Sequence, residues 1–253
     1  MPSALFKTQY DTRIAAKLAY GILFGLFLAQ WFLVWTGLLS QQTTLSPLHW
    51  PEGLLVLLAA GNTLATLACE LPWQNVLAVS VLLMLVCSAS EGLAVFAGAP
   101  AARFVTPVST WAVPLVWLVA ILNARGIARV ALFRWRKSRV NGLWLIGLTA
   151  LLFVLFGIGL HFFCAAHLTL PPTTISWLHL LYWWVIAALA LVTTSPWLID
   201  KRPLERLPAR QPMIIWLLLN FLFASATWLA GYWPVTTIIV AANGIILVVA
   251  FAD

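Results

Sequence analysis

Charge is what this chain has least of. Only 8% of its 253 residues are charged and seven are acidic, against 63% hydrophobic. A soluble globule of that length needs far more polar surface to cover its core, so that class is excluded. Cysteine is scarce as well. Cys69, Cys87 and Cys164 are an odd number with no CxxC spacing, and they read as buried thiols rather than a disulfide framework. The four histidines, His49, His161, His167 and His179, form no HxxxH, HExxH or ExxH pair, so no metal site is expected. A Gly-rich phosphate loop, a Ser-His-Asp order, paired DDxxD carboxylates and internal repeats are also missing. No cofactor is expected, and prenyl transfer from a magnesium diphosphate would find no ligands here.

What the chain does contain is long apolar runs, with a mean hydropathy of +0.99. At about 20 residues per span, they predict eight helices: 15–39, 53–71, 73–96, 107–124, 142–164, 174–198, 212–230 and 234–251. The expected fold is an all-α, polytopic transmembrane bundle forming a single integral membrane domain over residues 1–253. The division between the last two spans is the narrowest, because only Gly231-Tyr-Trp-Pro234 separates them; a seven-span reading merges or loses one. The first apolar run, behind Lys7, Arg13 and Lys17, is longer than a signal-peptide core and lacks a small-x-small cleavage site, so it reads as a retained span.

The net charge of +7 would fit nucleic acid, but the basic residues fall in short segments between apolar runs. Nucleic-acid binding is not expected. If the spans alternate, Lys7, Arg13 and Lys17, the group Arg125, Arg129, Arg134, Arg136, Lys137 and Arg139, and the group Lys201, Arg202, Arg206 and Arg210 share one side. Arg103 alone lies on the other, so 13 of the 14 basic residues are together. The positive-inside rule then puts both termini in the cytoplasm of a protein integral to the cell (inner) membrane. All four histidines, Glu52 and Glu91 fall toward the outer face; Glu70 lies at the inner end of span two.

Glu91 is the residue most suited to chemistry. An ionisable side chain within a span costs several kcal/mol by insertion scales, and it faces protein interior or a wet cavity. Ser80, Cys87, Ser88 and Glu91 fall near one helical face, a stripe equally suited to plain helix contact. His161 and His179 lie near the outer ends of spans five and six. Asn62, Thr66 and Glu70 recur every four residues, and Asn220 and Asn243 lie mid-span; helix-to-helix hydrogen bonding is their ordinary role. Pro114 predicts a kink in span four. Of the 15 tryptophans, Trp50, Trp73, Trp111, Trp177, Trp197 and Trp233 fall near span ends, as an interfacial belt does, while Trp117, Trp183, Trp184 and Trp216 lie deeper, in the core or along an apolar ligand.

Several stretches, in order, carry a resemblance. Leu71-Pro-Trp-Gln-Asn-Val-Leu77, Trp111-Ala-Val-Pro-Leu-Val-Trp-Leu118, Asn123-Ala-Arg-Gly-Ile-Ala-Arg129, Ser195-Pro-Trp-Leu-Ile-Asp-Lys-Arg-Pro203 and Trp216-Leu-Leu-Leu-Asn220 resemble the bacterial and archaeal carotenoid biosynthesis membrane proteins, the family that includes the carotenoid 1,2-hydratases. The likeness runs from about residue 50 to 225. The family's Pro-Phe-Gly segment after span three is here Gly98-Ala-Pro-Ala-Ala-Arg103. Its span-five aspartate corresponds to Gly157, and its Asn-Phe-x-Gly-Trp segment to His179-Leu-Leu-Tyr-Trp183.

The resemblance implies an acyclic carotenoid or another long isoprenoid lipid as partner, alongside membrane lipid. The reaction it implies is hydration of the terminal double bond. Protonation to a tertiary carbocation and attack by water need an acid, a base and an aromatic wall. Glu91 is the acid that carries over; His179 or His161 would position water or take its proton, and Trp183, Tyr182 and Trp117 would contact the substrate. Two other classes stay open: a non-catalytic carotenoid- or lipid-binding membrane protein, and a small proton-coupled transporter using Glu91 or Glu70. Oligomeric state is not readable from the sequence.

Overall fold

A computed structural model describes residues 2–40, 50–96, 112–133, 140–167, 175–198 and 210–251. Within these, it describes the side chains of all but 2–16, 50, 94, 95, 167 and 249–251. His49, Arg103, Trp111, the basic groups 134–139 and 201–206, and the side chain of His167 lie outside that set. Eight helices make up the described residues: α1 Pro2–Leu39, α2 Trp50–Glu70, α3 Trp73–Phe96, α4 Ala112–Ala131, α5 Asn141–His167, α6 Trp177–Leu198, α7 Gln211–Leu229 and α8 Trp233–Phe251. Seven are long and apolar enough to cross a membrane, and α8 adds the shorter apolar run Trp233–Val248. The fold is the expected all-α bundle.

The close division between α7 and α8 has a specific backbone cause. Gly231 takes φ +80, a left-handed conformation that favours glycine. Its N–H donates to the Trp228 carbonyl and the Tyr232 N–H to the Thr227 carbonyl, the two bonds of a Schellman C-cap. Pro234 then sits in the first turn of α8, where a missing N–H costs nothing. Across the turn, the Thr227 and Thr236 hydroxyls lie 2.8 Å apart and join the two helices.

α4 is the centre. It packs against α2, α3, α5, α7 and α8, and 67% of its span is buried against 17% for α1. α1 lies at the edge, paired mainly with α2 and tied to α7 by the Trp31 indole N–H donating to the Leu218 carbonyl at 2.8 Å. α6 closes the bundle against α3 and α5. Leu26, Phe32, Leu85, Leu93, Leu143 and Leu189 point outward, as they must where the surroundings are hydrocarbon and gain nothing from a polar outer face.

α4 continues past the predicted end at residue 124. Ala124, Ile127 and Ala128 are all buried, so the apolar face persists for another two turns and carries Arg125 and Arg129 as helical residues rather than loop residues. The kink predicted at Pro114 falls at the edge of the described residues, since the carbonyl its amide would meet lies outside them. Proline does interrupt the ladder of α6, at Pro196. There the Ser195 hydroxyl donates to the Val192 carbonyl at 2.9 Å, taking up the acceptor that Pro196 cannot reach.

Small residues set how closely the centre packs, because in lipid the helices associate through contact rather than exclusion of water. A Cβ on Gly126 would stand 2.6 Å from the Pro212 ring, and one on Gly159 would stand 2.9 Å from Phe223. Gly126→Ala is expected to destabilise by about 1–3 kcal/mol, since the rigid Pro212 ring cannot turn aside. Gly25→Ala, with nothing within 4 Å, is expected to be neutral or to stabilise by up to ~1 kcal/mol through helix propensity. Thermal unfolding in detergent separates the two; equal midpoints would contradict the close α4–α7 approach.

Candidate functional site

The predicted acid sits on the seam between α3 and α6. Val76, Ser80, Leu83, Cys87 and Ser90 are buried along α3, at alternating steps of four and three that keep one face toward a neighbour. Ser88, which the sequence reading placed on that stripe, is exposed; eight residues from Ser80 is a rotation of about 80°, enough to leave the seam. At the end of the seam the Tyr182 hydroxyl donates to the Ser90 carbonyl at 2.9 Å. Glu91, half-buried, is within electrostatic reach of both Tyr182 and Cys87.

His179 lies one turn before Tyr182, with Nδ1 2.7 Å from the Ser176 hydroxyl. Whichever partner donates decides whether Nε2 is free to accept a proton or to give one. Glu91, Tyr182 and His179 therefore share one end of two packed helices. His161 lies on α5, its ring edge-on to Phe162 at 5.5 Å, and Phe162 meets Tyr232, between α7 and α8, at 5.4 Å.

The deeper tryptophans divide. Trp117, Trp183 and Trp216 are 0%, 1% and 2% exposed. Trp117 lies 4.5 Å from Phe153 and Trp216 lies 5.2 Å from Phe156, ring centre to ring centre, so both are wedged between helices. Trp184 instead faces outward, and the expectation that it lines an interior is corrected: one residue beyond Trp183 is a rotation of 100°. Trp73, Trp177 and Trp233 are well exposed near helix ends, where an interfacial belt places them.

The opposite end holds a denser polar network. Arg129 Nη1 lies 2.6 Å from Glu70 Oε2, joining the last turns of α4 and α2. Arg125 Nη2 donates to the Leu198 carbonyl at 2.7 Å, and Asn75 Nδ2 donates to the Trp197 carbonyl at 3.1 Å. These two bonds occupy carbonyls at the end of α6, which have no partner within the helix. About two turns deeper than the Arg129–Glu70 pair, Asn123 Nδ2 donates to Thr63 Oγ1 at 2.9 Å, fully buried. An open cleft of about 30 Å³ runs through this region, with Glu70, Arg125, Gly126, Arg129 and Pro212 at its rim.

Several of these partners escaped the sequence reading. Asn62, Thr66 and Glu70 recur at four-residue steps, which drift about 40° each. Steps of seven hold one face, and Thr63 with Glu70 is such a pair. Asn62, Thr66, Asn220 and Asn243 instead bond to carbonyls of their own helices, four residues back. Among the described residues no three His, Cys, Asp or Glu side chains come together as metal ligands.

An outward apolar surface with polar groups turned inward or toward the helix ends defines an integral, polytopic α-helical membrane protein. No protein family, curated protein or solved structure matches the chain. Polar ties between such helices average about 0.6 kcal/mol and reach about 1.7. A double-mutant cycle of Thr63→Val and Asn123→Leu is expected to give a coupling in that range, measured by unfolding in detergent. Asn123→Leu with Ser225→Ala is expected to give none, Ser225 being bonded within α7, to the Phe221 carbonyl.

Proposed function

We propose that the protein takes a long isoprenoid lipid from the bilayer and hydrates its end group at the Glu91 end of the bundle. The observation that carries this reading is the Tyr182–Ser90 hydrogen bond, which holds the Glu91 turn of α3 against the turn of α6 that bears His179. The Glu91 carboxylic acid gives its proton to the terminal double bond, forming a C–H bond and leaving a tertiary carbocation. Water adds its oxygen to that carbon and loses a proton, through His179, back to the Glu91 carboxylate. One water is consumed and the acid is regenerated. The resemblance to the carotenoid biosynthesis membrane proteins supports an acyclic carotenoid as the substrate.

The test is to express the chain in a producer of acyclic carotenoids and weigh the pigments. The wild type is expected to yield a product heavier by one water, and Glu91→Gln to lower that yield by about 10²-fold or more. No hydrated pigment from the wild type, or an equal yield from Glu91→Gln, overturns the hydratase reading. The closed packing of Trp117 and Trp183 favours a second reading, a non-catalytic lipid-binding protein. Unchanged pigment that co-purifies with the chain would identify it.

We further propose that the end carrying Arg125 and Arg129 faces the cytoplasm, on the strength of the 13 to 1 distribution of basic residues. A cysteine at exposed Val140 is expected to be labelled by an impermeant thiol reagent only after the cells are opened, and one at exposed Ala230, at the far end of α7, from outside. Reversed labelling would invert the topology.

A further inference from the structure

We propose that the cleft between the last turns of α2 and α4 and the start of α7 is a binding site for a phosphate group at the membrane surface. This site is at the end of the bundle away from Glu91 and stands independently of the hydratase reading. Its rim is made of half-buried Glu70, Arg125, Gly126, Arg129 and Pro212, and its floor includes buried Thr63 and Leu67. Among the described residues, the rim holds two guanidinium groups against one carboxylate. Arg125 and Arg129 are one turn apart on α4, so both reach the same side of the cleft. Each presents planar N–H donors that match phosphate oxygens.

The third wall strengthens the preference for an anion. Pro212 opens α7, whose N-terminus carries partial positive charge. Ordinarily an Asp, Ser or Thr caps such an end. Here the N-cap is Arg210, with no side-chain cap bond, and the first turn holds no acidic residue. A helix start faced by cations and lacking an acidic cap is suited to an external anion. Gly126, between the two arginines in sequence, lets the Pro212 ring pack directly against α4, and that contact holds α7 at the cleft.

Glu70 acts as the resident competitor. It occupies Arg129 at 2.6 Å while both side chains remain partly exposed, 19% and 27%. The cleft is small, about 30 Å³, and open at its rim. A phosphate group therefore sits in the mouth, across the two arginines, displacing Glu70 from Arg129 rather than filling the floor. Because all three walls are helix ends, the mouth lies at the depth of lipid headgroups. The phosphate comes either from an anionic phospholipid or from free phosphate.

The test uses the full chain in detergent micelles, with radiolabelled phosphatidic acid as probe, uncharged diacylglycerol as control and inorganic phosphate as competitor. Saturable retention of phosphatidic acid but not of diacylglycerol is expected. Arg125→Gln and Arg129→Gln are each expected to weaken it about tenfold or more. Glu70→Gln is expected to tighten it several-fold, a gain that a misfolded protein does not produce. Displacement by millimolar inorganic phosphate assigns the site to phosphate in either form, and failure to displace assigns it to the lipid headgroup. Equal retention of diacylglycerol overturns the proposal, as does a Glu70→Gln variant that loses retention in step with Arg129→Gln; in the latter case the ion pair is only a tie between α2 and α4.

Discussion

Helix α4 has no side that faces lipid over most of its length, and the arrangement of the other helices follows from that. A helix surrounded by protein in a bilayer has no solvent to satisfy its polar groups, so each must find a partner on a neighbour. Asn123 finds Thr63 on α2, Arg129 finds Glu70 on the same helix, and Arg125 finds the end of α6. Three polar residues within two successive turns thus orient two neighbours at once. Ala120, Ala124 and Ala128, all fully buried, keep the approach close.

The end of α6 shows how local and tertiary demands meet. Pro196 removes an amide from the last turns, Ser195 takes up one freed carbonyl from within the helix, and Asn75 and Arg125 take up two more from α3 and α4. A cation at a helix C-terminus also opposes the negative end of the dipole. Leu71–Leu77, Asn123–Arg129 and Ser195–Leu198, far apart in sequence, therefore meet at one end of the bundle. Their polar residues serve first as the fastening of four helices, α2, α3, α4 and α6.

That concentration of fastenings leaves the two ends with different characters. At the Arg125 end the partners are charged and the cleft between them is open. At the Glu91 end the ties are single neutral bonds, Tyr182 to Ser90 and Thr227 to Thr236, and the aromatic side chains beneath are closely packed.

Much of the fold was legible before any coordinates. The eight apolar runs predicted eight helices, all but α1 and α4 to within three residues at each end, because a span in lipid must be long, apolar and continuous; α1 extends back to Pro2, well before the predicted start at residue 15. The Gly231 and Pro234 pair marked the tightest turn because only particular residues tolerate its backbone. The continuation of α4 to Ala131 was missed, since Arg125 and Arg129 interrupt the apolar pattern that marks a span, and only their partners on α2 and α6 explain why they stay helical. Glu91 was singled out by its charge alone, whereas Thr63, Ser90 and Asn75 are residues of ordinary type whose importance lies in what stands opposite them.

By itself, then, the sequence determined that this is an integral helical membrane protein and where its spans lie, because hydropathy and length are properties of single segments. Which helix is central, which tryptophan faces lipid and which polar residue meets which partner were decided only by the tertiary structure. In a bilayer the inner and outer faces of a helix are equally apolar, so the segment carries little record of the side that will be buried.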